Sequence, residues 1–253
     1  MRYPQATHER RGQPRATQQQ PDGVGHATPD PTMSINPTFT KKLAVQITGG
    51  LGNPSKMPGL SYGISASYCK TGSKLRKVAG SVCSKCYACK GHYGWPVVRE
   101  AHANRLAGIS RPEWTASMIF LIARELAILG VPFFRWHDSG DLQSYEHLMD
   151  IVEIARSLPD IRFCLPTTER AFIKRYIREH ERFPRNLAVR LSATMIDQDA
   201  AHIAGAPIGY STVSDAADPI GSPCRAYTRE GKCGNCRKCW DTKKYPTIAY
   251  PKH

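Results

Sequence analysis

The clearest pattern in the chain lies in its middle third, where short apolar runs alternate with amphipathic stretches. Val131 to Trp136, Ile161 to Leu165 and Leu187 to Ser192 are compact runs of strand length, while Tyr145 to Leu158 and Arg170 to His180 between them place apolar residues at helical spacing. Upstream, Trp114, Met118, Leu121, Ile122, Leu126 and Leu129 recur at steps of three and four in a helix that Pro112 opens and Gly130 ends. This stripe is most simply core. An earlier helix opens at Trp95-Pro96 and runs to about Leu106, and Tyr210 to Val213 reads as one further strand. Strands separated by helices of this length form βαβ units and a parallel sheet. The expected fold is therefore α/β: a partial (incomplete TIM-like) barrel or an open sheet.

The flanks are less regular. Lys42 to Thr48 reads as a first strand stopped by Gly49-Gly50, and Asn53 to Gly63 as a loop dense in Gly and Pro. No GxGxxG or Walker pattern appears there, so a phosphate loop has little support. Residues 1–38 are poor in aliphatics and rich in Gln, Pro, Thr, Arg and Gly, and are expected to form a disordered tail. Met33 opens more ordinary sequence and is a candidate true start. The expected organisation is that tail, an α/β domain over 39–221, and a cysteine-rich extension over 222–253 packed on the same domain.

Ligands of parallel sheets gather at the carboxyl ends of the strands. Here those ends read Arg135-Trp136-His137-Asp138-Ser139-Gly140-Asp141, Pro166-Thr167-Thr168-Glu169-Arg170 and Arg190-Leu191-Ser192-Ala193-Thr194. Any one of them could simply cap the next helix or neutralise a carboxylate. Three in succession, with a histidine and an arginine that capping does not need, point to a site. His137, Asp138, Asp141, Glu169 and Arg190 are the candidate catalytic residues, and Ser139, Thr167 and Ser192 the candidate cofactor contacts.

Charge and cysteine content sharpen the picture. The chain of 253 residues has a formal net charge of +14. Its first 40 residues contribute little, since Arg2, Arg10, Arg11 and Arg15 face Glu9, Asp22 and Asp30. A basic body suits an anionic partner such as a nucleotide or nucleic acid, although a solvated surface offset by anionic clusters would look the same. There is no signal peptide pattern and no run of about 18 apolar residues, so a cytoplasmic protein without a membrane partner is expected. In a reducing compartment, grouped cysteines point to metal or redox chemistry rather than disulfides.

Eight of the nine cysteines fall in two groups; the ninth, Cys164, sits in an apolar strand as a small hydrophobe. The C-terminal group is Cys224, Cys233, Cys236 and Cys239. Three cysteines at steps of three with one remote partner, in a loop opened by Gly231 and Gly234, is how ferredoxin-type loops hold a [4Fe–4S] cluster; zinc more often takes separated pairs. The first group has Cys69, thirteen intervening residues, Cys83, two, Cys86, two, and Cys89. It permits four ligands, or three with one iron open to a cofactor, and either Cys69 or Cys89 could be the spare thiol. Lys70, Lys74, Arg76, Lys85 and Lys90 surround it, and would favour thiolate or remain simply solvated.

Several of these segments resemble a known family. Ser55-Lys56-Met57-Pro58-Gly59 with Ser61-Tyr62-Gly63, Thr71-Gly72-Ser73-Lys74-Leu75-Arg76, Gly80-Ser81-Val82-Cys83 with Cys86-Tyr87-Ala88, Phe134 to Leu142, Val189 to Ala193 and Cys233 to Asp241 look like the phage "gene product 88" family. The resemblance covers about residues 50 to 253. It implies a phage or prophage origin, hence host cytoplasm, more than a reaction. A second resemblance is architectural: a long gap followed by CxxC on a partial α/β barrel is similar to non-canonical radical S-adenosylmethionine enzymes, although CxxxCxxC itself is absent.

The leading expectation is an iron–sulfur enzyme with one or two [4Fe–4S] clusters, S-adenosylmethionine at an open iron, and an external electron donor. The rival is a zinc-stabilised nucleic-acid-binding protein without catalysis. A third reading makes His137, Asp138 and Asp141 the ligands of a metal-dependent hydrolase.

Overall fold

The structure, a computed structural model, describes residues 39–252. The expected tail and the alternative start at Met33 lie outside the described residues. Among the described residues six α-helices, α1 (Lys41–Thr48), α2 (Lys70–Leu75), α3 (Pro96–Gly108), α4 (Trp114–Leu129), α5 (Tyr145–Ser157) and α6 (Arg170–His180), accompany seven strands. The strands are β1 (Leu60–Tyr62), β2 (Phe133–Trp136), β3 (Arg162–Thr167), β4 (Leu187–Ser192), β5 (Gly209–Ser214), β6 (Ser222–Pro223) and β7 (Thr247–Pro251). They form one open sheet in the order β1-β2-β3-β4-β5-β7-β6, with every pairing parallel. The α/β fold and the partial-barrel architecture read from the sequence are thus seen.

Period-two alternation sorts the central strands onto two faces. Phe134, Trp136, Phe163, Leu165, Val189 and Leu191 form one apolar core with Trp114, Met118 and Ile122 of α4, Leu148 and Ile151 of α5, and Ile173 and Tyr176 of α6. Each such side chain contributes about 1.5–3 kcal/mol of burial, which holds the helices on this face. The alternate residues Arg135, Cys164 and Arg190 point the other way, and Arg135 and Cys164 are register partners. The C-terminal cysteine segment covers this second face. Trp240 donates from Nε1 to the Phe134 carbonyl at 3.0 Å, and Arg162 donates to the Trp240 carbonyl at 3.3 Å.

Three features differ from the sequence reading. Lys41–Thr48 is a helix, because Thr40 caps it by accepting from the Leu43 amide at 3.2 Å and Gly49 ends it at φ 77°. Its buried residues, Ala44 and Thr48, are one helical turn apart, so the apparent alternation was misleading. The Gly- and Pro-rich loop hides β1, whose three residues are all buried. Gly59 permits this: a Cβ there would lie 1.8 Å from the Phe133 carbonyl oxygen. Finally, the 222–253 extension is more than a cysteine loop, since it supplies β6 and β7, and β7 pairs directly with β5.

Candidate functional site

The first cysteine group lies across the carboxyl ends of four strands. Cys69 follows β1 and stands at the N-cap of α2. Two residues on, Thr71 donates its backbone amide and its hydroxyl to the two carboxylate oxygens of Glu169, after β3, both at 2.8 Å. Tyr87 donates its hydroxyl to the Asp138 carbonyl, after β2, at 2.6 Å. The Val82 amide donates to the Thr194 carbonyl, after β4, at 3.0 Å, and Ser81 bridges to Met195. Cys69, Cys83 and Cys86 are half-buried in this arch and Cys89 is exposed.

The thiols of the arch face one another. A Cβ placed on Gly72 would lie 3.0 Å from Cys69 Cβ, 3.5 Å from the Cys83 sulfur and 3.7 Å from the Cys69 sulfur, so the glycine lets α2 pack closely against both cysteines. Burial raises the Cys69 pKa, and the neighbouring Asp141, Cys86 and Cys83 raise it further. Cys83 is pushed up to about 11 by the same combination, and Cys86 is also raised, chiefly by burial. The thiols are therefore protonated and crowded in the absence of a cation.

Asp141 ties the ends of β2 and β3 together. One oxygen accepts from Thr167 Oγ1 at 2.6 Å and the Leu142 amide at 2.8 Å; the other accepts from the Thr168 amide at 2.8 Å and Thr168 Oγ1 at 2.7 Å. Burial still raises its pKa to about 6 against these bonds. Thr167, placed among the cofactor contacts by sequence, is thus a partner of Asp141, and its hydroxyl also accepts from the Glu169 amide. Asp141, Thr167 and Glu169 stand together beneath the first cysteine group.

His137 is buried with a left-handed backbone, φ 55°, uncommon for a non-glycine residue. Among the described residues neither ring nitrogen has a hydrogen-bond partner, and the same holds for Asp138 Oδ1, Ser139 Oγ and His147 Nε2. The His137 and His147 rings meet at 5.4 Å. Burial drives the His137 pKa well below the usual range, with His147 and Arg135 adding to the shift. Burial alone lowers His147 to about 3. Buried polar atoms normally find a partner, so these orphaned groups set the end of β2 apart from the rest of the core.

Two of the sequence candidates stand elsewhere. Arg190 does not reach the rim: it is wholly buried under the C-terminal segment, where its guanidinium donates to the carbonyls of Cys239 and Lys238 at 2.9 Å and lies within bonding reach of those of Asp241, Tyr210 and Pro246. Its role is to seat the second cysteine group, because a side chain at its strand position faces away from the helices. Ser192 accepts from Ser211 of β5 at 3.1 Å and makes no bond to Asp141, Thr167 or Glu169.

The second cysteine group shares that face with Arg135, whose Nε is buried without a partner. Cys239 Sγ lies 3.1 Å from the Tyr250 hydroxyl. Burial raises Cys224 and Cys233, and each feels Cys239 and Cys236 as well. Among the described residues neither Arg135 nor Arg190 forms a salt bridge with a carboxylate. Also among the described residues, no three His, Cys, Asp or Glu side chains stand close enough to share a single metal ion, the His137, Asp138 and Asp141 set included.

Sequence reasoning left out Thr71, Tyr87 and Tyr250, and named Thr168 and Arg135 only as members of the polar strand ends, without a role. Thr71, Tyr87 and Arg135 lie inside the segments that carry the family resemblance, which was the available signal; Tyr250 had none.

No curated protein and no solved structure matches the chain, so the expected likeness to radical S-adenosylmethionine enzymes is not shown. The family model described as gene product 88 matches residues 36–242, taking in both the arch of the first cysteine group and the segment of the second. On that match the chain belongs to the gene product 88 family.

Proposed function

We propose that this protein is an iron–sulfur enzyme of radical S-adenosylmethionine type acting on an anionic substrate, with its working cluster on Cys69, Cys83 and Cys86 and an auxiliary cluster on Cys224, Cys233, Cys236 and Cys239. The observation that carries the reading is the arch itself. A thiol group is pinned by Thr71, Tyr87 and Val82 over the carboxyl ends of β1 to β4, where parallel sheets place their chemistry.

The donor set is compatible with anionic clusters in two respects. The first group brings together half-buried, protonated thiols whose raised pKa values a cation would lower. The second rests on two guanidinium groups that have no carboxylate partner among the described residues, and a thiolate-bound cluster would bring negative charge to them. Since the thiols enclose no single ion as placed, loading requires them to close on one or to span a larger body such as a cubane.

A bound cluster with one iron free of cysteine would supply the electron that cleaves S-adenosylmethionine. Cys89 is exposed beside Cys86 and is the thiol left over in this arrangement. Glu169 holds the start of α2, and with it Cys69, in place. Asp141 joins the ends of β2 and β3 and, with a pKa near 6, can hold or release a proton close to the thiols. His137, neutral and without a partner, offers a donor and an acceptor within the rim.

Anaerobic purification with iron and sulfide determination and an absorbance spectrum tests the reading. Iron and sulfide in matching amounts, a brown protein, and reductant-dependent cleavage of S-adenosylmethionine are expected. Stoichiometric zinc in a colourless protein would overturn it in favour of a zinc-stabilised nucleic-acid-binding protein.

A further inference from the structure

Between the first cysteine group and the start of α3 the surface opens into a groove of ≈ 280 Å³ lined by Lys85, Tyr87, Lys90, Gly91, His92 and Tyr93. Its walls are aromatic and cationic, with no carboxylate among them. The His92 and Tyr93 rings lie 4.2 Å apart, Tyr87 meets Tyr93 edge-on at 5.8 Å, and Tyr93 stacks on His102 at 6.0 Å. Trp95, 62% exposed, extends the aromatic surface 6.4 Å from His92. Among the described residues a side chain added at Gly91 or Gly94 would meet no atom within 4 Å, so the backbone here lies open on the surface. Because Tyr87 is bonded to the Asp138 carbonyl, the inner wall of the groove is also the outer wall of the strand-end rim.

We infer that this groove binds single-stranded nucleic acid, stacking an unpaired base on the exposed His92 ring, which Tyr93 backs, while Lys85 and Lys90 take the flanking phosphates. Flat aromatic faces flanked by lysines match a base and its phosphate, and stacking requires a base face that a duplex keeps covered. The charge of +14 supplies the long-range attraction that an uncharged or basic partner would not use. The inference rests on the proposed function in one respect: it names the substrate class presented to the first cysteine group.

Fluorescence anisotropy with a labelled single-stranded oligothymidylate tests it, using full-length protein with iron content determined on the same samples. Binding should weaken steeply with added salt, exceed that of the matched duplex and of free thymidine monophosphate, and fall about tenfold in Tyr93→Ala but little in Tyr93→Phe. The exposed pair Lys85→Glu/Lys90→Glu should lose more affinity than the same charge reversal at Lys174→Glu/Arg178→Glu on α6. Equal loss in the two reversals, equal binding of duplex, or full affinity in Tyr93→Ala would overturn the inference. Binding with these signatures in iron-free protein would leave it standing while the iron–sulfur reading failed; iron-loaded protein without binding would do the reverse.

Discussion

Thr71 and Glu169, 98 residues apart in sequence, are joined by two hydrogen bonds of 2.8 Å, one from the Thr71 amide and one from its hydroxyl. This doubled contact fixes the first cysteine group over the end of β3. It is also charge-assisted and largely buried, so it carries more than an exposed polar pair would.

Removing that contact should loosen the arch. Glu169→Ala is expected to cost about 1.5–3 kcal/mol in thermal or denaturant unfolding, while Glu169→Gln, which can still accept from the amide, should cost about half as much. Iron content of anaerobically purified protein should fall in the same order if the arch carries a cluster.

The two spare-thiol candidates should behave oppositely. Cys69→Ala is expected to abolish iron at the first site, roughly halving iron per chain. Cys89→Ala should leave iron per chain unchanged, because Cys89 is exposed at the outer edge of the group. Equal losses in both variants would make the first site a four-thiol site.

Arg190 and Arg135 lie on the same face of the sheet but should respond differently to removal of charge. Arg190→Met strands several buried carbonyls and is expected to destabilise the protein by at least about 3 kcal/mol. Arg135→Met removes a guanidinium whose buried Nε is already unpaired, so metal-free protein should lose little or gain stability while retention of the second cluster falls. Unfolding midpoints of metal-free protein, set beside its iron content after reconstitution, check both.

Stability should fall as the solution is acidified. His147 has a folded-state pKa near 3, and His137 is also well below its usual value. Between about pH 6.5 and 3 the unfolded chain therefore binds a proton at His147 that the folded chain does not, and stability drops by about 1.4 kcal/mol per pH unit; His137 adds a loss of the same sign below about pH 6.5. Asp141, raised to about 6, acts with the opposite sign between about pH 6 and 4, because the folded chain binds its proton first. Asp141→Asn should steepen the acid loss in that window, and His147→Gln should flatten it. Urea unfolding midpoints measured from pH 7 to 4 give the slopes.

The central βαβ units and α3 to α6 were legible because each rests on local signals. The apolar stripe of α4 and the glycine that ends it lie within one segment, and Arg170–His180 carries its own helical period. β1 was not legible, since three residues in a loop rich in Gly and Pro become a strand only by pairing with β2. Lys41–Thr48 misled because its alternation of apolar and polar residues is compatible with either period, and packing at Ala44 and Thr48 chose the helix.

By itself, the sequence established the α/β class, the polar carboxyl ends of the strands, the two cysteine groups and the family resemblance, all of which depend on residue type and short spacing. Only the tertiary structure decided what those residues face. It brought Thr71 to Glu169 and Tyr87 to Asp138, and it turned Arg190 from the rim to a buried seat beneath Cys239. The reason is geometric: one residue of strand register reverses the face a side chain points to, and which distant segment covers that face is set by packing across the whole sheet.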